Sequence, residues 1–271
     1  MKKIAMVVGV LIIAAGGALL VYGVYIAKNL PDLALLNQRH IAQSTKIYDR
    51  TGKILLYELY GEQKMTVVPL AYIPALVKQA TIVIEDKNFY THRAVDWKSI
   101  LRALWINISR AKVVQGGSTI TQQLAKNAFL KPERTIARKI KEIILAYRLE
   151  QTYTKNQILE LYLNQIAYGA NAYGIEAAAQ TYFNKRARDL AIAEITLLVS
   201  LPKAPSYYSP WGAHIHELMA RKDRVLEEVA LSGVITTEQK QSAQKEKLVF
   251  APQTTNIKAP HFVIAVQDYL T

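Results

Sequence analysis

From Ile4 to Ala27 the chain reads IAMVVGVLIIAAGGALLVYGVYIA without one charged residue, with Lys2 and Lys3 before it and Lys28 after it. A helix rises about 1.5 Å per residue, so the run can cross a hydrocarbon layer about 30 Å thick with some tilt. No other feature restricts the architecture as strongly, because a spanning helix commits the rest of the chain to one side of a bilayer. A cleaved leader has a shorter apolar stretch and a small-x-small site, whereas this run ends in bulky Tyr25 and Ile26. An uncleaved anchor is therefore expected over residues 4–27. Two lysines before it and one after it put residues 1–3 inside as a cytoplasmic tail, and everything beyond outside.

The remaining composition is read against that topology. The 271 residues carry 34 Lys and Arg against 21 Asp and Glu, a net charge of +13, and 51% are hydrophobic. That is enough apolar material for one core besides a membrane segment. The charge favours a phosphate-bearing partner, namely nucleic acid, anionic lipid or a phosphorylated substrate. A chain held outside the cytoplasm does not meet chromosomal DNA, so no nucleic-acid partner is expected; a generally basic exported surface is the bland alternative. There is no cysteine, which excludes disulfides and thiolate metal sites.

Helical spacing dominates beyond the stalk. STKIYDRTGKILLYEL, Ser44 to Leu59, predicts two short strands around a Thr51-Gly52 turn. From Pro69 onward the apolar period becomes helical. Thr154 with Gln157 forms a capping signature ahead of Ile158, Leu159, Tyr162, Leu163 and Ile166 on one face. Thr236 with Gln239 repeats it. Pro132 fits a first helical position before Ile136, Ile140, Ile143 and Tyr147, which share a stripe. Pro202, Pro205 and Pro210 break an apolar helix that starts near Leu190.

Three polar stretches stand out. In QGGSTITQQLAKN, residues 115–127, a helical winding brings Thr119, Gln123 and Lys126 within roughly 60° of one another, away from Ile120, Leu124 and Ala128. Gly116, Gly117 and Ser118 lie where that helix begins, and free N–H groups there suit a phosphate. A solvated face capped by Ser118 is the alternative. Glu85 and Asp86 follow an apolar run, and on a continued helix Glu85, Phe89 and His92 would share a face; a helix-end Glu-Asp pair is the competing reading. Arg134, Arg138 and Glu142 repeat at i, i+4 and i+8 with Lys139 beside them, opposite the isoleucine stripe. A solvated salt-bridge ladder is the usual meaning. The alternative is a carboxylate among cations that holds a metal-bound pyrophosphate.

Taken in order, EDxxFxxH (Glu85 to His92), GxSTITQQLxKN (ending at Asn127), RKxxE (Arg138 to Glu142) and KxxILExYLN (Lys155 to Asn164) resemble the motifs of the family 51 peptidoglycan glycosyltransferases. LPKAPSYYSPW, Leu201 to Trp211, resembles that family's closing segment, and the likeness covers residues 66 to 250. The resemblance implies a mainly α, lysozyme-like glycosyltransferase domain with a small membrane-facing lobe. It would follow the anchor and a stalk over 28–65 that carries the β-hairpin, with 251–271 starting a linker to a further domain. The implied enzyme polymerises lipid II on the outer face of the bacterial inner membrane, as a single-pass protein of the periplasm. Its partners are lipid II, the growing glycan strand, the membrane and cell-wall synthesis proteins. Glu85 matches the catalytic base that takes a proton from the acceptor GlcNAc 4-hydroxyl as it attacks C1 of the donor MurNAc, inverting it. Glu142 is the second catalytic carboxylate, and with Lys126 and Arg138 it meets the departing undecaprenyl pyrophosphate, helped by Arg134 and Lys139. Asp86, Phe89, His92, Ser118, Thr119, Gln123 and Asn127 match substrate-binding positions. A divalent cation, Mg or Mn, is the candidate cofactor with Glu142 as its candidate ligand, and no organic cofactor is implied.

The pattern departs from the family at Ala94, where Gly is usual; a positive φ there would cost Ala about 1 kcal/mol. RALWINISRAKVVQGG mixes Trp105, Ile106 and Ile108 with Arg102, Arg110 and Lys112, a composition suited to an interfacial segment or a plain loop. S-x-x-K occurs at Ser109 to Lys112 and Ser242 to Lys245 without a following K-T-G, so neither reads as an acylation site. His214 and His216 lack a third ligand at metal spacing. Two rival functions share the motif residues. A lytic enzyme of the same fold would use Glu85 as an acid and need no cations near Glu142, and a non-catalytic cell-wall scaffold would not need to keep them all.

Overall fold

The computed structural model describes residues 45–52, 55–59, 64–109, 117–131, 133, 135–253, 259, 261–263 and 266, with Gly17, Leu30 and Pro31 ahead of them. Among these no helix is long and apolar enough to cross a membrane. The run 4–27, Gly17 apart, lies outside the described residues, as do 110–116, Pro132, Arg134 and most of 254–271. The protein is mainly helical and divides into two compact units, residues 1–38 with 92–154, and residues 39–91 with 155–271.

The second unit opens with the expected hairpin. Strands β1 (Thr45–Tyr48) and β2 (Leu55–Leu59) pair antiparallel. Gly52 turns the chain at φ +67, and its N–H reaches the Asp49 carbonyl at 2.9 Å. After β3 (Lys64–Met65) come α1 (Ala75–Glu85), α5 (Lys155–Gln165), β4 (Ala167–Gly169), β5 (Ala172–Tyr173) and α6 (Ile175–Phe183). Helices α7 (Ile192–Ser200), α8 (Ile215–Leu231) and α9 (Thr237–Lys245) complete it. The middle strand of the second sheet, β5, pairs parallel with β3 and antiparallel with β4.

The core of this unit lies where α1 and α8 pack on α7. IAEITLLVS has apolar residues all round, which fits a helix with no solvent face, and every residue of α7 from Ala193 to Ser200 is buried. Its hydroxyls turn back to the helix, Thr196 Oγ1 donating to Ile192 O and Ser200 Oγ to Thr196 O. The helix stops at Ser200, and Pro202 sits in the short 3₁₀ turn that follows, as the prolines predicted. The α5 face also matches expectation, since Ile158, Leu159, Tyr162, Leu163 and Ile166 are all buried. From that helix Asn164 clasps both the N–H and the carbonyl of Val68, and Glu160 accepts from Leu70 N–H. The approach to α1 is thereby fastened.

The first unit contains α2 (Trp97–Ser109), α3 (Ile120–Phe129) and α4 (Ile136–Thr152). Buried Asp96 starts α2 by accepting from the Ser99 N–H and hydroxyl. Helix α4 begins later than Pro132 suggested: Thr135 is its cap, accepting from Arg138 N–H at 3.1 Å. Its orientation also differs from the expected one. The buried arc is Glu142, Leu145, Ala146 and Leu149, facing α3, while Ile136 is 79% exposed and Tyr147 is exposed too. The buried arc is spaced i, i+3, i+4, i+7 and the isoleucine stripe i, i+4, i+7, i+11, both helical periods, so periodicity alone could not choose between them.

Candidate active site

Glu85 is the last residue of α1, half-buried, and Asp86 behind it is buried. The helix ends because Asp86 takes φ −161 and ψ 76; its N–H still reaches Ile82 O, and its own carbonyl accepts from Phe89 N–H at 2.9 Å. The shared helical face expected for Glu85, Phe89 and His92 therefore does not form. Instead Phe89 is fully buried within its unit, 4.6 Å below the Lys155 ammonium and edge-on to Tyr90. His92 is half-buried, with Nδ1 against the Arg93 carbonyl oxygen.

Two tyrosines that were not among the expected site residues lie within electrostatic reach of Glu85. Burial pushes the phenols of Tyr162 and Tyr168 above their ordinary range, and the negative charge of Glu85 pushes both further. Lys155 and Tyr162 both belong to the KxxILExYLN motif, where Tyr162 is part of the expected apolar face and Lys155 only a motif position; the fold reveals what they neighbour.

In the first unit, the start of α3 is a capping box. The cap is Thr119 rather than Ser118: Thr119 Oγ1 accepts from Gln122 N–H at 3.2 Å, and Gln122 Oε1 accepts from Thr119 N–H at 2.9 Å. Two N–H groups that an anion was expected to find free are thus already bonded. Thr119 is buried and its hydroxyl donates to Ala94 O at 2.7 Å. Ala94 is itself buried and is not among the residues with positive φ, so its departure from Gly carries no strain. Along the helix, Gln123 and Lys126 are half-buried and Asn127 is exposed. Thr121 turns the other way, donating to Glu150 of α4 at 2.7 Å.

Where α4 meets the head of α3 the charges assemble. Glu142 is 2% exposed, and Arg138 Nη1 donates to its Oε2 at 2.8 Å while Lys139 Nζ donates to its Oε1. Lys139 also donates to Ser118 Oγ at 2.8 Å. A buried carboxylate is tolerated when it is paired and its lone pairs are filled, and here two cations do both. The trio keeps one net positive charge in an ordered geometry, a fit for an incoming anion and not for a solvated ladder. Ser118, Arg138, Lys139 and Glu142 are thus brought together, while Arg134 lies outside the described residues. As a metal site the donors fit poorly. Both Glu142 oxygens are engaged by cations, and no three His, Cys, Asp or Glu among the described residues could hold an ion.

The sequence profile of the family described as Transglycosylase matches residues 52–230. Penicillin-binding protein 1A of Aquifex aeolicus (strain VF5) is 42% identical over 270 residues, covering 100% of this chain and 37% of that protein. Penicillin-binding protein 1A of Rickettsia bellii (strain RML369-C) is 39% identical over 249 residues, 90% of this chain and 31% of the other. For the protein of the same name from Escherichia coli (strain K12) the identity is 42% over 234 residues, 86% of this chain and 27% of the other. This chain therefore spans about a third of the length of these curated relatives. A crystal structure of penicillin-binding protein 1A from Haemophilus influenzae aligns with a TM-score of 0.47 at 25% identity, covering 84% of this chain and 24% of that one. With two thirds of its length matched by the profile, the chain belongs to the transglycosylase family, the peptidoglycan glycosyltransferases of family 51.

Proposed function

We propose that the chain polymerises lipid II into glycan strands while anchored by residues 4–27, with its catalytic residues on the outer face of the membrane. Glu85 acts as general base. Its carboxylate takes the proton of the acceptor GlcNAc 4-hydroxyl as that oxygen bonds to C1 of the donor MurNAc. The C1–O bond to the diphosphate breaks on the opposite side, which inverts the centre, and undecaprenyl pyrophosphate departs.

The observation that carries the proposal is the buried Glu142 carboxylate, which fixes Arg138 and Lys139 beside Ser118. Preset cations stabilise charge developing on a leaving diphosphate without reorganising during the reaction. Lys126, in the last turn of α3, adds a further cation to this duty. A divalent cation taking part would draw most of its ligands from diphosphate and water, since Glu142 is committed to its two partners.

Labelled lipid II tests the reading. Long polymer is expected from the intact chain and none from Glu85→Gln. Cleavage of finished glycan without polymerisation would overturn it in favour of a lytic enzyme.

A further inference from the structure

A half-open cavity of about 260 Å³ in the first unit lies among the start of α4, the loop that precedes it, and the Leu30-Pro31 segment. Its walls are of two kinds. Leu30, Pro31 and Phe129 are apolar, Lys131, Arg138 and Lys141 are cationic, and Glu133 is the single acid among the residues that line it. An apolar wall beside clustered cations is complementary to an amphiphile with an anionic head. The phosphate would pair with guanidinium and ammonium groups while the first carbons of the tail lie along the apolar side.

Two further observations sharpen the ligand. Arg138 gives Nη1 to Glu142 at 2.8 Å, but its buried Nε has no hydrogen-bond partner among the described residues. A buried donor without an acceptor is costly, and a phosphate oxygen in the cavity could supply one. Location is the second. Leu30 and Pro31 follow closely on the uncharged run that ends at Ala27, and Ile136, the first residue of α4, is 79% exposed. On the anchor reading, on which this step rests, that edge of the unit stands at the bilayer surface.

We propose that this cavity binds the phosphodiester head of an anionic membrane lipid of the phosphatidylglycerol kind. Phosphatidylethanolamine is disfavoured because its ammonium would face three cations. Lys131 and Lys141 are the recognising residues that have no part in the proposed transfer chemistry, so they isolate lipid recognition from turnover.

Native mass spectrometry of the full chain in detergent micelles, doped in turn with phosphatidylglycerol, phosphatidylethanolamine or a long-chain polyprenyl diphosphate, tests this. Phosphatidylglycerol should be retained and phosphatidylethanolamine should not. Lys131→Gln with Lys141→Gln should weaken the retained lipid roughly 25-fold, given about 1 kcal/mol for each basic residue near an anionic surface. Equal retention of the two phospholipids, or no effect of the double variant on phosphatidylglycerol, overturns the proposal. So does a double variant that loses only the polyprenyl diphosphate, which would assign the cavity to the product. Flotation on neutral vesicles separates the premise: a chain that fails to float refutes the anchor, while the micelle measurement still judges the cavity.

Discussion

The side chain of Glu142 is 3% exposed, whereas those of its partners Arg138 and Lys139 are 20% and 38% exposed. Replacing it with Gln keeps the shape and removes the charge that orders both cations. Because the cations can turn to solvent, the expected loss of stability is about 2 kcal/mol, below the range for a fully buried pair. Polymerisation of lipid II by Glu142→Gln should fall roughly a hundredfold, the usual effect of disturbing preset charge stabilisation. A full rate in that assay would leave the residue structural and favour a scaffold. Thr119 invites the opposite expectation. Its hydroxyl both caps α3 and reaches Ala94 O, so Thr119→Val should cost about 1 to 2 kcal/mol in chemical denaturation, and Thr119→Ser should recover most of it. A Thr119→Ser variant that is stable but inactive would show that the methyl group matters to substrate instead.

Elements with strong local signals were legible in advance. The Thr51-Gly52 hairpin has a glycine where φ must be positive, the Thr236 and Gln239 box appears as written, and Pro202 ends α7. The β4–β5 hairpin was not. Its strands span three and two residues, too short for alternation to register, and Ala170 and Asn171 take φ +49 and +59 between them. The end of α1 was open in the sequence, where the helix-end Glu-Asp pair that the structure shows stood against a continued helix, since neither Gly nor Pro marks the stop at Asp86. The α4 arcs show a different limit: the ladder that looked solvated contains a buried acid, and that followed only from which arc met α3. Around the short hairpin the glycines carry a sharp prediction. A Cβ on Gly169 would lie 2.5 Å from Pro205 O and one on Gly174 2.5 Å from Asn164 O, both at positive φ. Gly169→Ala and Gly174→Ala should each destabilise the second unit by at least about 2 kcal/mol. Gly52→Ala, with open space around it, should cost only about 1 kcal/mol, and urea midpoints of the three variants would rank them.

At the scale of the whole chain, the candidate chemistry draws on segments far apart in sequence. The motifs named Glu85, Arg138, Lys139 and Glu142, but the tyrosines within electrostatic reach of the first carboxylate, the burial of the second and the bond from Lys139 to Ser118 came from the fold, because these depend on contacts between distant segments. Those tyrosines also govern how the protein meets alkaline solution. Tyr162, Tyr168 and Tyr182 all titrate above their ordinary value of 10.0, burial being the first cause in each and the charge of Glu85 adding to the first two. A phenol whose folded pKa is raised holds its proton more tightly folded than unfolded. Below about pH 10 both states are protonated and the stability is fully present; above it the unfolded chain releases protons that the folded one keeps, so stability falls. Tyr182 adds a structural cost, because its hydroxyl donates to Tyr168 O at 2.8 Å and ionisation removes that donor. The second unit should therefore unfold cooperatively above pH 10, with a tyrosinate absorbance step that coincides with loss of helical circular dichroism. Tyr182→Phe should move that transition upward while lowering stability at pH 7. If the tyrosinate signal instead rose smoothly near pH 10 with the helices intact, these phenols would be accessible to solvent and the burial argued for Tyr162 and Tyr168 beside Glu85 would be wrong.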